Sequence, residues 1–297
     1  MVFTGFNDIK YPEYEVITPQ THLSFTVRSL NVQEEENMKG SLMTPVKVTE
    51  HLNKCIYDVL VKKPDTITDF KDFLKQITLK DRDALLYGLY HITYEEIRNY
   101  DVRCGTCKKE YPITIKASDM FSFTSYPGDD VLTKRVRVDL PVSKSITAYI
   151  KQPTLQDELD ALRNLVTLKG TNLDAVTQTL IVDKFEEEVE GKTKTNVFSD
   201  RYEILEAFKT LPARDRRLIN KSYIDHFGNY GIELKMKSFC SSCGAEEIIT
   251  VDLVENFFRM VYSVWWNRIL QKNIRRKYFQ LYWADKTGLL RNYHDAS

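Results

Sequence analysis

Four of the chain's five cysteines fall in two Cys-x-x-Cys pairs, Cys104/Cys107 and Cys240/Cys243, and the residues around the two pairs match. Val102-Arg-Cys104-Gly-Thr-Cys107-Lys-Lys-Glu110-Tyr-Pro-Ile113-Thr114-Ile115 is answered without a gap by Ser238-Phe-Cys240-Ser-Ser-Cys243-Gly-Ala-Glu246-Glu-Ile-Ile249-Thr250-Val251, and Phe121 by Phe257. A turn of this spacing puts both sulfurs on one side, where their thiolates can chelate a soft tetrahedral ion. A structural zinc takes four such ligands, and each pair supplies two. Either the two knuckles meet across a pseudo-twofold axis and share one four-cysteine zinc, or each is a metal-free turn or one completed by distant ligands such as His91 or His226. The shared structural zinc is the preferred reading. A thioredoxin-type redox role is disfavoured, because neither pair precedes a helix in a βαβ setting.

Little else in the sequence carries chemistry. The five histidines (His22, His51, His91, His226, His294) form no pair with ligand spacing. No phosphate-binding loop, dinucleotide fingerprint, nucleophile elbow or His-Glu-x-x-His motif occurs. Glu34-Glu35 and Glu95-Glu96 read as helix caps or solvated faces, and Cys55, in an apolar run, as a small buried hydrophobe. Neither a catalytic residue nor a small-molecule substrate is expected. The 42 basic and 42 acidic side chains cancel, which argues against a general polyanion binder. No secretory signal or membrane span is apparent. In the reducing setting this implies, paired cysteines point to metal rather than disulfides.

The knuckles must be held by strands, and Tyr100–Arg103 and Tyr111–Ile115 flank the first of them as a ribbon would. Upstream, residues 1–19 are polar and read as an irregular arm, and Leu23–Val27 alternates as a strand. Asn31 and Glu34 form an N-cap with its N3 acid, opening a helix that runs to Met38. Helical spacing follows over His51–Lys63, stopped by Pro64, then over Asp69–Lys75 and Leu79–Tyr90, the last opened by Lys80 or Asp81.

The second half repeats this order. Strands at Arg135–Val138 and Ser145–Ile150 flank Pro141 as Glu15–Thr18 and Leu23–Val27 flank Pro19, and a capped helix starts at Thr154 with Asp157 at N3. The apolar run Leu173–Phe185 answers His51–Val61, Tyr202–Phe208 answers Phe70–Ile77, and Leu211-Pro-Ala-Arg214-Asp215 answers Leu79-Lys-Asp-Arg82-Asp83. The offset grows from 123 (156 − 33) to 136 (240 − 104), with the extra length around Glu186–Asn196, a polar surface loop. The expected fold is α+β: an N-terminal arm (1–13) and two tandem homologous units (14–130 and 131–262). Each unit is a helical cluster with a small antiparallel sheet and a zinc-knuckle ribbon, and an aromatic, basic helical tail (263–297) closes the chain.

From Asn256 to Trp283 the sequence is apolar over most of a helix circumference, so such a helix must be buried on more than one side. Trp265, Trp266, Arg275, Arg276, Tyr278, Phe279, Tyr282 and Trp283 combine the aromatic and arginine side chains that dominate protein–protein hot spots. The same mixture can bind nucleic acid by charge and stacking, but zero net charge favours a protein partner.

The strand and capped helix from Thr26 to Glu35, the Leu79-x-x-Arg82-Asp83 step into Leu-Leu-Tyr-Gly-Leu-Tyr, and Tyr100-Asp-Val-Arg-Cys-Gly-Thr-Cys107 together resemble the baseplate hub assembly proteins of T4-like tailed bacteriophages. The resemblance covers most of 20–125 and, more degenerately, 140–260. It implies a non-enzymatic structural or assembly component of a contractile tail baseplate. Such a protein would act through interfaces with other tail proteins, in the virion and in the host cytoplasm during assembly. The alternative is a zinc-ribbon nucleic-acid-binding or transcription-associated factor.

Overall fold

The computed structural model describes residues 10–38, 45–94, 97–116, 118, 121–166, 179–188 and 195–250. These form a mixed α/β protein with several small antiparallel sheets. The first sheet has the order β1 (Glu13–Ile17), β2 (Ser24–Arg28), β3 (Leu60–Lys62). β1 covers most of Glu15–Thr18, the segment that the repeat set beside Leu23–Val27, and begins inside the stretch read as an irregular arm: it pairs along its whole length with β2 and turns Val16 into the core beside Phe25 and Val27.

Helices α1 (Val32–Met38), α2 (Pro45–Asp58), α3 (Phe70–Gln76) and α4 (Leu79–Tyr94) follow. α2 begins six residues before His51. Pro45 opens it, where a missing N–H costs nothing. It also ends before Pro64, because Leu60 and Lys62 leave the helix to pair with Val27 and Thr26. Asp69 caps α3 by accepting Asp72 N–H at 2.8 Å. α4 is opened by Thr78, not by Lys80 or Asp81: Thr78 Oγ1 accepts Asp81 N–H at 3.1 Å and Asp81 Oδ2 accepts Thr78 N–H at 3.3 Å, a reciprocal capping box.

The second sheet runs β10 (Thr195–Phe198), β9 (Val182–Glu188), β8 (Ile146–Ile150), β7 (Val136–Asp139). With it go α5 (Leu155–Val166), α6 (Arg201–Thr210) and α7 (Ala213–Tyr223), which runs into a π turn at Ile224–Gly228. Two expectations change here. The apolar run Leu173–Phe185 ends in strand β9, and the ends of Glu186–Asn196 are paired strand, Glu187 with Asn196. Residues 173–178 and 189–194 lie outside the described residues.

The same small devices hold both sheets to their helices. In the first, Asn31 and Glu34 cap α1 reciprocally, at 2.8 and 3.0 Å, while Arg28 binds the Glu34 carboxylate. In the second, Thr154 and Asp157 cap α5 and Lys151 binds Asp157 at 2.7 Å. The ladder β2–β3 shifts register between Thr26 and Val27, and β8–β9 shifts between Tyr149 and Ile150. Two buried aspartates complete the set. Asp81 accepts Gln20 N–H at 2.8 Å from the β1–β2 turn. Asp215 accepts Val142 and Ser143 N–H at 3.0 and 2.9 Å from the β7–β8 turn.

Buried apolar side chains gather in two main clusters. One joins Phe25, Ile56, Phe73, Leu85 and Leu89 with Tyr111 and Ile113; the other joins Ala148, Ile150, Phe185, Ile204, Phe208, Ile219 and Phe227. The halves interlock. Leu155 and Leu159 of α5 are buried in the first cluster, and Leu79 N–H reaches Pro153 O while Leu155 N–H reaches Ile77 O. Gln20, fully buried, donates through Nε2 to Phe227 O at 2.9 Å and accepts from Thr78 Oγ1 at 2.8 Å.

Candidate metal centre

Each Cys-x-x-Cys sits at the tip of a two-stranded ribbon. β4 (Ile97–Arg103) and β5 (Glu110–Lys116) carry the first, and β11 (Gly231–Phe239) and β12 (Glu246–Thr250) carry the second. The registers are equivalent: Arg103 faces Glu110 and Asn99 faces Thr114, as Phe239 faces Glu246 and Lys235 faces Thr250. β6 (Phe121–Thr124) adds to the outer edge of β11.

The turns are equally alike. Cys104 N–H donates to Lys109 O at 2.9 Å and Lys108 N–H to Cys104 O at 3.0 Å. Cys240 N–H donates to Ala245 O at 2.9 Å and Gly244 N–H to Cys240 O at 2.8 Å. The residue after the second cysteine takes the left-handed conformation in both, Lys108 with φ 62° and Gly244 with φ 71°. This geometry aims the amides of Thr106 and Cys107 at Cys104 Sγ, at 3.3 and 3.4 Å, and such N–H···S bonds stabilise a thiolate.

The ribbons bring their tips together. Cys104 Sγ lies 3.7 Å from Cys243 Sγ, and Cys107 Sγ lies 3.7 Å from Cys240 Sγ, across 133 positions of chain. All four sulfurs lie within 4.8 Å of one another. Sulfurs placed tetrahedrally about 2.3 Å from a zinc ion define edges of about 3.8 Å. The cross-ribbon distances match such edges and are far longer than the roughly 2.05 Å of a disulfide. Four soft thiolates at this spacing are a donor set compatible with zinc. His91, stacked on Tyr87 and edge-on to Tyr14, and His226, bonded to Ser222 O, lie in other surroundings.

Charge explains why a cation suits the place. Burial pushes the Cys240 thiol up, but the amides of Ser242 and Cys243 and the thiols of Cys107 and Cys243 outweigh it and bring it down to about 7. The Ala245 amide favours the Cys243 thiolate, yet burial and the three neighbouring thiols push that group up to about 12. Packed thiols cannot all ionise beside one another; a divalent ion removes that repulsion.

Sequence reasoning missed Glu247. The acid shared by both repeats is Glu110/Glu246, and Glu246 pairs with Lys237 on the ribbon surface at 2.7 Å. Its neighbour Glu247 instead crosses to the first knuckle, where its Oε1 accepts Gly105 N–H at 2.9 Å and faces Cys104 Sγ at 3.3 Å. No local signal marks it, because the contact exists only once the ribbons meet. Cys55, half-buried in α2, lies 3.6 Å from His51, away from the cluster. The proposed partner-binding residues Trp265, Trp266, Arg275, Arg276, Tyr278, Phe279, Tyr282 and Trp283 lie outside the described residues. Among the described residues no helix is long and apolar enough to cross a membrane.

Residues 11–259 match the family described as T4 bacteriophage base plate protein. No curated protein and no solved structure matches the chain significantly.

Proposed function

The chain belongs to the T4 bacteriophage base plate protein family, and from that premise we propose that it is a non-enzymatic architectural or assembly component of a contractile tail baseplate, with a hub role, its two ribbons stapled by one structural zinc. Membership in the family across 11–259 carries the baseplate part of this reading. The staple rests on one observation, the four sulfurs of Cys104, Cys107, Cys240 and Cys243 within 4.8 Å. In this reading the chain is two homologous units, 14–130 and 131–262, after a short arm (1–13) and before a tail (263–297). The paired capping boxes, the equivalent register shifts and the two buried aspartates support that division.

In this reading the zinc pins the tips of two ribbons whose Tyr111, Ile113 and Leu234 join the first core cluster; it stabilises geometry and performs no reaction. Function resides in the surfaces the units present. The aromatic and arginine residues of the tail, Trp265, Trp266, Arg275, Arg276, Tyr278, Phe279, Tyr282 and Trp283, engage other tail proteins in the virion and, during assembly, in the host cytoplasm. Two measurements test the reading. Native mass spectrometry gives one zinc per chain, lost alike in Cys104→Ser and Cys240→Ser; two zincs or none overturns the shared staple. Co-purification with tail proteins disappears on deleting 266–297; salt-dependent retention of DNA or RNA in its place, lost on neutralising Arg275, Arg276 and Lys277, overturns the baseplate role.

A further inference from the structure

The two ribbons are equivalent in register but not in what they turn towards the protein. Alternation along the strands puts Leu234, Met236 and Ile249 of the second ribbon against the first core cluster, as it does Val102, Tyr111 and Ile113 of the first. One cross-strand pair breaks the pattern. Ser238 lies opposite Glu247 at the place where the first ribbon has Val102 opposite Tyr111. Tyr111 is buried in the cluster, whereas Glu247 is half-buried. An acid on the inner side of a ribbon gives up apolar contact, and Glu247 spends its reach on the other ribbon. Its Oε1 accepts Gly105 N–H at 2.9 Å, inside the Cys104–Cys107 turn, and lies 3.3 Å from Cys104 Sγ. Gly105 leaves room for it: a Cβ there would stand 3.3 Å from both carboxylate oxygens, closer than ordinary van der Waals contact. At the spacing that relates the cysteines (240 − 104 = 136), Gly105 corresponds to Ser241 and Glu247 to Tyr111. The crossing is therefore built on one side of the cluster.

We propose that Glu247 is the positioning residue of the metal centre: by holding Gly105 N–H it ties the second ribbon to the first knuckle, so that the four sulfurs are gathered before zinc binds. The inference rests on the zinc-staple reading above. Ligands drawn from two ribbons must be ordered together, and a contact that orders them beforehand removes part of that cost from the binding step. Groups that orient ligands from outside the coordination sphere typically change metal affinity by about 10–100-fold when removed. The contact acts as a hydrogen-bond acceptor and not as a charge. A negative carboxylate beside four thiolates repels them, so its charge opposes assembly of the site while its acceptor favours it. The two contributions have opposite signs, and glutamine separates them.

The test is chelator competition for zinc in the full-length protein. Glu247→Ala is expected to bind zinc about 10–100-fold more weakly than wild type. Glu247→Gln keeps an acceptor for Gly105 N–H and drops the charge, so it is expected to bind at least as tightly as wild type. Gly105→Ala crowds the carboxylate; it is expected to weaken binding when Glu247 is present and to change it little when residue 247 is already alanine. In the metal-free chain the Gly105 amide is expected to exchange faster in Glu247→Ala than in wild type. Zinc affinity of Glu247→Ala equal to or above that of wild type overturns the proposal. So does a Glu247→Gln chain as weak as Glu247→Ala, full additivity of the two alanines, or equal exchange of the Gly105 amide. A wild-type chain that binds no zinc overturns the staple reading itself, an outcome that the wild-type measurement alone reveals.

Discussion

Asp215, at the third position of α7, accepts the backbone N–H of Val142 at 3.0 Å from 73 positions earlier in the chain. Asp81, at the third position of α4, does the same for Gln20 at 2.8 Å. Each carboxylate closes the turn between the first two strands of its sheet onto the start of the helix that carries the chain to a knuckle.

Removing Asp81 leaves a buried amide without its acceptor, and removing Asp215 leaves two part-buried ones. Asp215→Ala strands the N–H groups of Val142 and Ser143, and Asp81→Ala strands that of Gln20. A buried donor without its partner costs about 1–3 kcal/mol, so each substitution is expected to destabilise by about 1–3 kcal/mol in urea unfolding. Asp81→Ala is expected to do so while zinc content under native conditions stays at its wild-type value.

Acid weakens a different contact. Burial would raise the Asp157 carboxyl, but Lys151, the Thr154 amide and Arg201 outweigh it and hold the group below its ordinary value. A depressed carboxylate contributes stability that is present above its unfolded pKa, about 4, and is lost as pH falls through its folded value. Asp81 runs the other way: burial holds it above the ordinary value despite its amide and hydroxyl donors, so its contribution declines as pH rises past about 4. The stability gap between wild type and Asp157→Asn is therefore expected to be widest above about pH 5 and to shrink below about pH 4. Urea midpoints across that range check it.

Close approach of β1 to α4 depends on a single missing side chain. A Cβ on Gly88 would run into Val16 Cγ2 and crowd Tyr14 at 3.2 Å. Overpacking of this kind costs about 1–3 kcal/mol. Gly88→Ala is expected to lose that amount, and Val16→Ala in the same chain to recover part of it, in a double-mutant cycle of unfolding free energies.

The caps and knuckles were legible in the sequence because their determinants are local: Asn31 with Glu34, Thr154 with Asp157, and each cysteine pair with its ribbon. Meeting of the knuckles could be read only from their repeated context. The aspartates were misaligned by two positions. The shared Arg-Asp of Arg82-Asp83 and Arg214-Asp215 suggested one register, whereas the turn-closing contacts equate Asp81 with Asp215. Such a contact has no local signature, since its acceptor and donor are 61 and 73 positions apart. β1 was legible only through the repeat, as Glu15–Thr18, because only Val16 of its residues is buried and the strand exists because β2 offers it an edge.

The two knuckles solve the same backbone problem with different residues, which gives the sharpest local test. Gly244 has φ 71°, and nothing lies within 4 Å of a Cβ built there, so Gly244→Ala adds conformational strain and no clash. A left-handed L-residue costs about 1–2 kcal/mol, and the turn must hold that conformation for Gly244 N–H to reach Cys240 O. Lys108 already bears the strain at the equivalent place, with φ 62°. Gly244→Ala is therefore expected to lower stability by about 1 kcal/mol and to speed zinc loss to a competing chelator. Gly244→Asn, a residue that tolerates the left-handed region, is expected to lie between Ala and wild type. Chelator-competition kinetics and thermal melts of the three proteins decide it: identical behaviour of Ala and wild type would show that the turn does not set the sulfur positions.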